Sequence, residues 1–333
     1  MLSGLLQEVS RQILLAAICA CKRSLLGAGN VGATIAYTIT LEGLASEIVL
    51  VDINKNKAAG EAMDIIQCTA ICPSVDIYSG DYSDIEGSDI VVVTLGCARK
   101  PGQTRIDLAQ GNVNIIKSVM PEAVKYAPNA IYVVVSNPVD IITYTILKTT
   151  GLPERHVLGS GTLLDSARLR EIIGQHLSVD PKNVHAYVLG EHGDSAVIPW
   201  SITNVGGISV EAYADNLHRE HKDYTPIDCA RIEANVHKSG SEVIRLKGAT
   251  YYAIAVATTS ICSQILRDTN TILPLSGMLH GEYGFADVCM SIPFVLNRDG
   301  LANSVTPPLT GAEVEKISAS ANLLKDTISK LDI

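Results

Sequence analysis

In the first half of the chain, short apolar runs alternate with amphipathic stretches. Glu47–Asp52 (EIVLVD), Asp89–Leu95 (DIVVVTL) and Ala130–Ser136 (AIYVVVS) are continuously apolar in their interiors, the pattern of parallel strands covered on both faces. Between them Val31–Leu44, Ala58–Cys68, Asn112–Tyr126 and Asp140–Thr149 carry helical spacing. Strand–helix–strand alternation predicts a doubly wound parallel α/β sheet. After about Gly161 the pattern changes to a mixed α+β one. Helices are predicted at Leu163–His176, Ile227–Val243, Gly248–Arg267 and Gly311–Leu331, and strands at Val184–Leu189 and Val197–Val205. The chain has no internal repeat and no low-complexity linker, so two closely packed domains are expected at 25–160 and 161–333, with 1–24 as an N-terminal extension.

Composition narrows the class. With 47% apolar and 18% charged residues over 333 positions, the chain can bury a large core and is not a disordered one. A net charge of −9 argues against an electrostatic nucleic-acid binder, and two Phe with one Trp leave few stacking surfaces. The eight cysteines form no C-x-x-C pair and no zinc-type spacing, so no metal site is expected; scattered reduced thiols point to the cytoplasm. The apolar run Ile13–Cys21 is nine residues, too short to span a bilayer, and its flank, with Glu8 and Arg11, makes a poor signal-peptide start. No membrane association is expected.

Gly27-Ala28-Gly29-Asn30-Val31-Gly32 fits G-x-G-x-x-G. The first Gly permits the tight turn, the second lets backbone approach a pyrophosphate, and the third lets helix and strand pack closely. Asp52 ends the next strand, 20 residues beyond Gly32, where a carboxylate accepts the ribose hydroxyls and repels a 2′-phosphate. The expected cofactor is NAD, held by Gly27, Gly29, Asn30, Val31, Gly32, Asp52 and Asn137. One feature departs from the pattern. The strand before the loop contains Lys22 and Arg23, and adjacent cations in a buried strand are costly unless they reach solvent or a partner. Either that strand is short, or the first ~25 residues are not what the rest of the gene was built around; a damaged reading frame predicts weak NAD binding.

The segment Gly190-Glu191-His192-Gly193-Asp194-Ser195 sets a His between glycines and acids at a strand end, placed for access, and His is the side chain that exchanges protons near neutrality. Asp165 and Arg168 are i and i+3 on one predicted helix and share a face. Asp165 can orient His192 and stabilise its protonated form, and Arg168 can grip a carboxylate bidentately. Ser136-Asn137-Pro138 follows a strand's carboxyl end, where α/β proteins bind ligands. Gly96–Arg105 follows another, with three cations, a Pro and two Gly in ten residues, a composition that suits a lid over an anionic substrate.

Taken together, GAGNVG, IVLVDI, RKPGQTR, VVSNPVD, GTLLDSARLR and GEHGDS stand in the order of the NAD-dependent L-lactate/malate dehydrogenase family, which the chain resembles from about Leu25 to its C-terminus. The resemblance implies a Rossmann-type domain followed by a C-terminal substrate domain. It implies His192 as proton donor and acceptor supported by Asp165, Arg168 on the C1 carboxylate, Arg105 polarising the carbonyl, and Asn137 assisting. The substrate would be a 2-oxo acid or its L-2-hydroxy acid. A non-catalytic NAD-binding module would lack His192, Arg168 or Arg105, and all three are present.

Two further expectations follow from the resemblance. Arg99 occupies the loop position where malate enzymes have Arg and lactate enzymes usually Gln; a desolvated second carboxylate needs a cationic partner, so oxaloacetate/malate is expected. Glu191, Trp200 and the pocket residue Thr250 resemble the lactate branch, which makes pyruvate/lactate the alternative. Arg170 lies about 200° around the helix from Arg168. With His185 it matches positions that bind fructose 1,6-bisphosphate between subunits in bacterial lactate dehydrogenases, which implies a homo-oligomer, a tetramer or else a dimer, with an anion effector site.

Overall fold

The computed structural model describes residues 21–97, 104–220 and 226–333. In chain order its first part runs β1 (Lys22–Leu26), α1 (Asn30–Leu41), β2 (Glu47–Val51), α2 (Lys55–Gln67), β3 (Asp76–Ser79), β4 (Ile90–Val93), α3 (Arg105–Tyr126), β5 (Ile131–Val134), α4 (Val139–Thr150), β6 (Val157–Gly159) and α5 (Leu163–Leu177). Strands β3-β2-β1-β4-β5-β6 lie side by side, all parallel. The four residues of β4 and of β5 are all buried, which is why they read as unbroken apolar runs. From β1 the chain winds outward through β2 and β3, then restarts at β4 on the other side. The loops leaving β1 and β4 therefore diverge and leave a crevice at the strands' carboxyl ends. The doubly wound, Rossmann-type expectation is borne out.

The second part continues β7 (Val184–His185), β8 (Asn204–Val205), β9 (Ile208–Ser209), α6 (Val210–Glu220), α7 (Cys229–Lys247), α8 (Tyr252–Arg267), β10 (Thr271–His280), β11 (Ala286–Asn297), β12 (Gly300–Ser304) and α9 (Gly311–Ile328). Strands β7, β8 and β9 form a small separate sheet. The predicted strand Val197–Val205 is instead a bridge from Val197 to Leu189, a single 3-10 turn at Trp200–Ile202, and then the two residues of β8. The long strands β10, β11 and β12 have no counterpart in the sequence pattern. They extend the parallel sheet antiparallel from β6, giving nine strands. Prolines inside a run normally argue against a central strand. Here Pro274 and Pro293 face each other across β10 and β11, and β10 touches β6 at Ser276–Gly159, clear of Pro274.

The cations of β1 both find partners. Lys22 Nζ stands 2.7 Å from Glu47 Oε1. Arg23 is fully buried; its guanidinium reaches Asp89 Oδ2 at 3.2 Å and donates to the carbonyls of Lys22 at 2.8 Å and Leu44 at 3.2 Å. The cost of burying the charge is thus offset on three sides, and the strand runs in register with β2 over five residues and with β4 over four. Helix α3 begins at Arg105, seven residues before the expected Asn112, because Thr104 and Asp107 form a capping box inside the basic segment. No helix among the described residues is long and apolar enough to cross a membrane, and no disulfide joins them.

Candidate active site

The glycine loop is built as the dinucleotide pattern requires. Gly27 has φ +107°, and a Cβ there would stand 2.7 Å from Thr94 Oγ1. A Cβ on Gly32 would fall 1.9 Å from the Gly27 carbonyl oxygen, so the third glycine is what lets α1 start against β1. At Gly29 a Cβ would meet nothing within 4 Å: the space before the helix is open. Gly29 is also the N-cap of α1, supplies no side-chain cap, and no acidic residue stands in the first turn. The first N–H groups of α1 are left for a phosphate, with the helix dipole in its favour. Asp52 Oδ2 accepts the Ala28 N–H at 2.7 Å and Oδ1 the Asn54 N–H at 2.8 Å. It ties the loop to β2 and keeps one lone pair on each oxygen for ribose hydroxyls. The residues present therefore fit NAD. Gly32→Ala is expected to weaken NADH binding about 5- to 150-fold, since the overpacked loop must open at a cost of about 1–3 kcal/mol. Wild-type affinity by fluorescence titration would show that this loop does not carry the cofactor.

Beside the loop lies a cavity of about 330 Å³ whose wall includes Asn137, Asp165, Arg168, His192, Asp194 and Thr250. His192 Nδ1 and Asp165 Oδ2 are 2.6 Å apart. Asp165 Oδ1 accepts from Arg168 Nη1 at 2.9 Å. One carboxylate on α5 thus orients both groups. Burial pushes His192 toward the neutral form, but the Asp165 carboxylate, with a smaller contribution from Asp140, outweighs it and holds the imidazole above its ordinary range. Burial likewise favours the neutral acid at Asp165, and His192 and Arg168 together hold it below the usual carboxylate range. A charged Asp165 beneath a readily protonated His192, with a guanidinium alongside, is an arrangement able to bind a carboxylate and pass a proton to an oxygen next to it.

Of the other expected site residues, Val31 lines this cavity and Asn30 begins α1. Asn137 is exposed toward it from the turn after β5. Arg105, at the start of α3, pairs with Asp194. Arg99 lies outside the described residues. Arg170 and His185 are not brought to this cavity. They line a separate cleft of about 260 Å³ with residues of β10, and Arg170 Nε donates to the Pro181 carbonyl at 3.2 Å. Among the described residues no group of His, Cys, Asp and Glu is arranged to hold a metal ion.

Several supporting residues escaped the sequence pattern. Asn112, buried in α3, accepts the Cys97 N–H at 2.9 Å and donates to the Asn137 carbonyl at 2.7 Å, joining the loops after β4 and β5. Ser320 of α9 accepts the Glu191 N–H at 2.9 Å, and Ser195 donates to Glu191 Oε2 at 2.5 Å. Asp140 accepts the His192 N–H at 2.8 Å. An acid in the first turn of an otherwise apolar helix, VDIITYTIL, is the one local signal that would have marked Asp140.

Two family models cover almost the whole described chain: lactate/malate dehydrogenase, NAD binding domain, over residues 21–159, and lactate/malate dehydrogenase, alpha/beta C-terminal domain, over 162–332. The chain is 46% identical over 313 residues to an L-lactate dehydrogenase of Thermoanaerobacter pseudethanolicus, covering 94% of this chain and 99% of that one. It is 45% identical to an L-lactate dehydrogenase of Acetivibrio thermocellus, covering 94% and 98%. Among solved structures, the minor L-lactate dehydrogenase of Enterococcus mundtii in a ligands-bound form superposes with TM-score 0.89 at 37% identity, over 94% of this chain and 99% of that one. A lactate dehydrogenase from a Medee basin deep-sea metagenome library gives 0.88 at 39%, over 93% and 98%. The chain belongs to the lactate/malate dehydrogenase family and is an NAD-dependent 2-hydroxy acid dehydrogenase.

Proposed function

We propose that the protein interconverts pyruvate and L-lactate. The observation that carries the chemistry is the shared carboxylate of Asp165, which holds His192 and Arg168 on one cavity wall. In the reducing direction Arg168 binds the C1 carboxylate and sets C2 in place. Protonated His192 gives its proton to the carbonyl oxygen as C2 gains a hydride, so ketone, hydride and proton together make the alcohol. NADH, when bound, supplies that hydride. Arg105 polarises the carbonyl once released from Asp194, and Asn137 assists at the oxygen. In the reverse direction neutral His192 takes the hydroxyl proton.

The choice of pyruvate rests on the relatives, named L-lactate dehydrogenases over nearly their full length, and on Thr250 in the cavity wall. The malate preference expected from Arg99 finds no support among them. Arg99 remains the specific observation that favours oxaloacetate, because a guanidinium closing over a methyl group would be desolvated without a partner. NADH oxidation with each acid, compared as kcat/KM, decides. Pyruvate ahead by about tenfold or more supports the lactate reading. Oxaloacetate ahead, with the order reversed in Arg99→Gln, overturns it in favour of malate.

The cleft of Arg170 and His185 supports an effector site for a sugar bisphosphate in a homotetramer, as these residues set a guanidinium and an imidazole together away from the catalytic cavity. Adding fructose 1,6-bisphosphate to the same assay should raise activity; no change in activity or thermal stability removes this part. Scattered thiols without a disulfide among the described residues support a cytoplasmic protein.

A further inference from the structure

The proton chemistry assigned to His192 uses Asp165 alone, yet a second carboxylate touches the same residue. Asp140 sits in the first turn of α4, 2% exposed. Its Oδ2 accepts the His192 backbone N–H at 2.8 Å, and its Oδ1 accepts the hydroxyl of Ser276 at 2.5 Å. Ser276 is itself fully buried in β10. The carboxylate therefore joins three elements that are distant in sequence: the helix after the Asn137 turn, the added antiparallel strands, and the catalytic loop. The neighbouring Gly190 is bridged to Ser291 of β11, so the loop is clamped on both sides of Glu191.

We infer that Asp140 is a positioning residue for the catalytic imidazole, a second buried anion that fixes the His192 backbone and, with Asp165, favours the imidazolium. This rests on the proposed role of His192. On the catalytic loop the His192 imidazolium attracts Asp140 and the Glu191 carboxylate opposes its ionisation. On β11 the fully buried Cys289 thiol is pushed up by burial and next by Asp140. On β10 the partner is the neutral Ser276 hydroxyl. Burial raises the Asp140 carboxyl to about 6, against the lowering effect of its two hydrogen bonds and of His192. Both hydrogen bonds that it accepts favour the ionised carboxylate, and in that form its charge reaches His192 without standing in the cavity where substrate binds. Asp165 orients the ring from its Nδ1 side; Asp140 holds the main chain from which the ring extends.

The test is a proton NMR titration of the His192 ring in the full-length protein carrying labelled histidine, in wild type and in Asp140→Asn. It needs no substrate turnover, so it judges this inference even where neither pyruvate nor oxaloacetate is reduced, an outcome that would count against the proposed function alone. The expected result is a His192 midpoint lower by about one pH unit in the variant. The alkaline fall in kcat/KM for 2-oxo acid reduction should move with it, while NADH affinity stays within about twofold. A residue with a merely structural role would lower the rate at every pH and leave the midpoint in place; that result overturns the inference. Ser276→Ala guards against a variant that fails to fold. It removes one donor but leaves the charge site, so Asp140 ionises less readily and the His192 midpoint shifts in the same direction by less. An unmoved midpoint in Ser276→Ala also overturns the inference.

Discussion

His192→Gln is expected to reduce kcat/KM for 2-oxo acid reduction by about 10²–10⁴-fold, the usual contribution of a positioned general acid, with NADH affinity essentially unchanged. Gln keeps a polar group near the imidazole position but cannot give up a proton near neutral pH. The pH dependence makes the prediction specific. In the wild type Asp165, with Asp140 behind it, holds His192 above its ordinary range against the effect of burial. Reduction consumes the protonated form, so its kcat/KM is flat at low pH and falls as pH rises through that elevated value. Oxidation of the hydroxy acid consumes the neutral form, so its rate rises through the same value. Both slopes should vanish in the variant. If the alkaline fall in reduction persists in His192→Gln, another group is the proton donor and the assignment is wrong.

Arg168→Lys is expected to lower kcat/KM by 10²–10³-fold, about 3–4 kcal/mol for two lost charge-assisted hydrogen bonds. The charge is conserved but the planar fork is not. One Nη of Arg168 is committed to Asp165 at 2.9 Å, and its other donors have no hydrogen-bond partner among the described residues. An ammonium can satisfy Asp165 or grip the substrate, without the bidentate alignment that sets C2 in place. Pyruvate and oxaloacetate both carry a C1 carboxylate, so both should lose by the same factor. A loss confined to oxaloacetate would mean that Arg168 holds the distal carboxylate and that the substrate lies the other way round.

Much of this site is legible along the chain because its signals are local. A strand buried on both faces has to be apolar throughout, so β2, β4 and β5 announce themselves. A turn at φ +107° and a helix starting 1.9 Å from where a side chain would clash need glycine, so Gly27 and Gly32 do too. Asp165 and Arg168 share a helix face by arithmetic, and His192 stands between acids and glycines in seven residues. The partners of Lys22 and Arg23 are another matter. Glu47, Asp89 and the Leu44 carbonyl lie 21 to 66 residues away, and nothing near the two cations says they will be there.

The same limit applies to everything that fixes the catalytic loop from behind. Asn112 joins two strand ends, Ser320 reaches Glu191 from the last helix, and Asp140 links Ser276 to His192 across 136 and 52 residues. The strands that carry Ser276 and Ser291 were themselves hidden, since their prolines argue against a sheet interior until Pro274 and Pro293 are seen facing each other. Local pattern determines which residues can do chemistry, because propensity, burial and turn geometry act over a few positions. Which buried polar groups satisfy one another is decided by packing between distant segments, and so only the tertiary structure adds Asp140 to the Asp165 that the sequence already set beside His192.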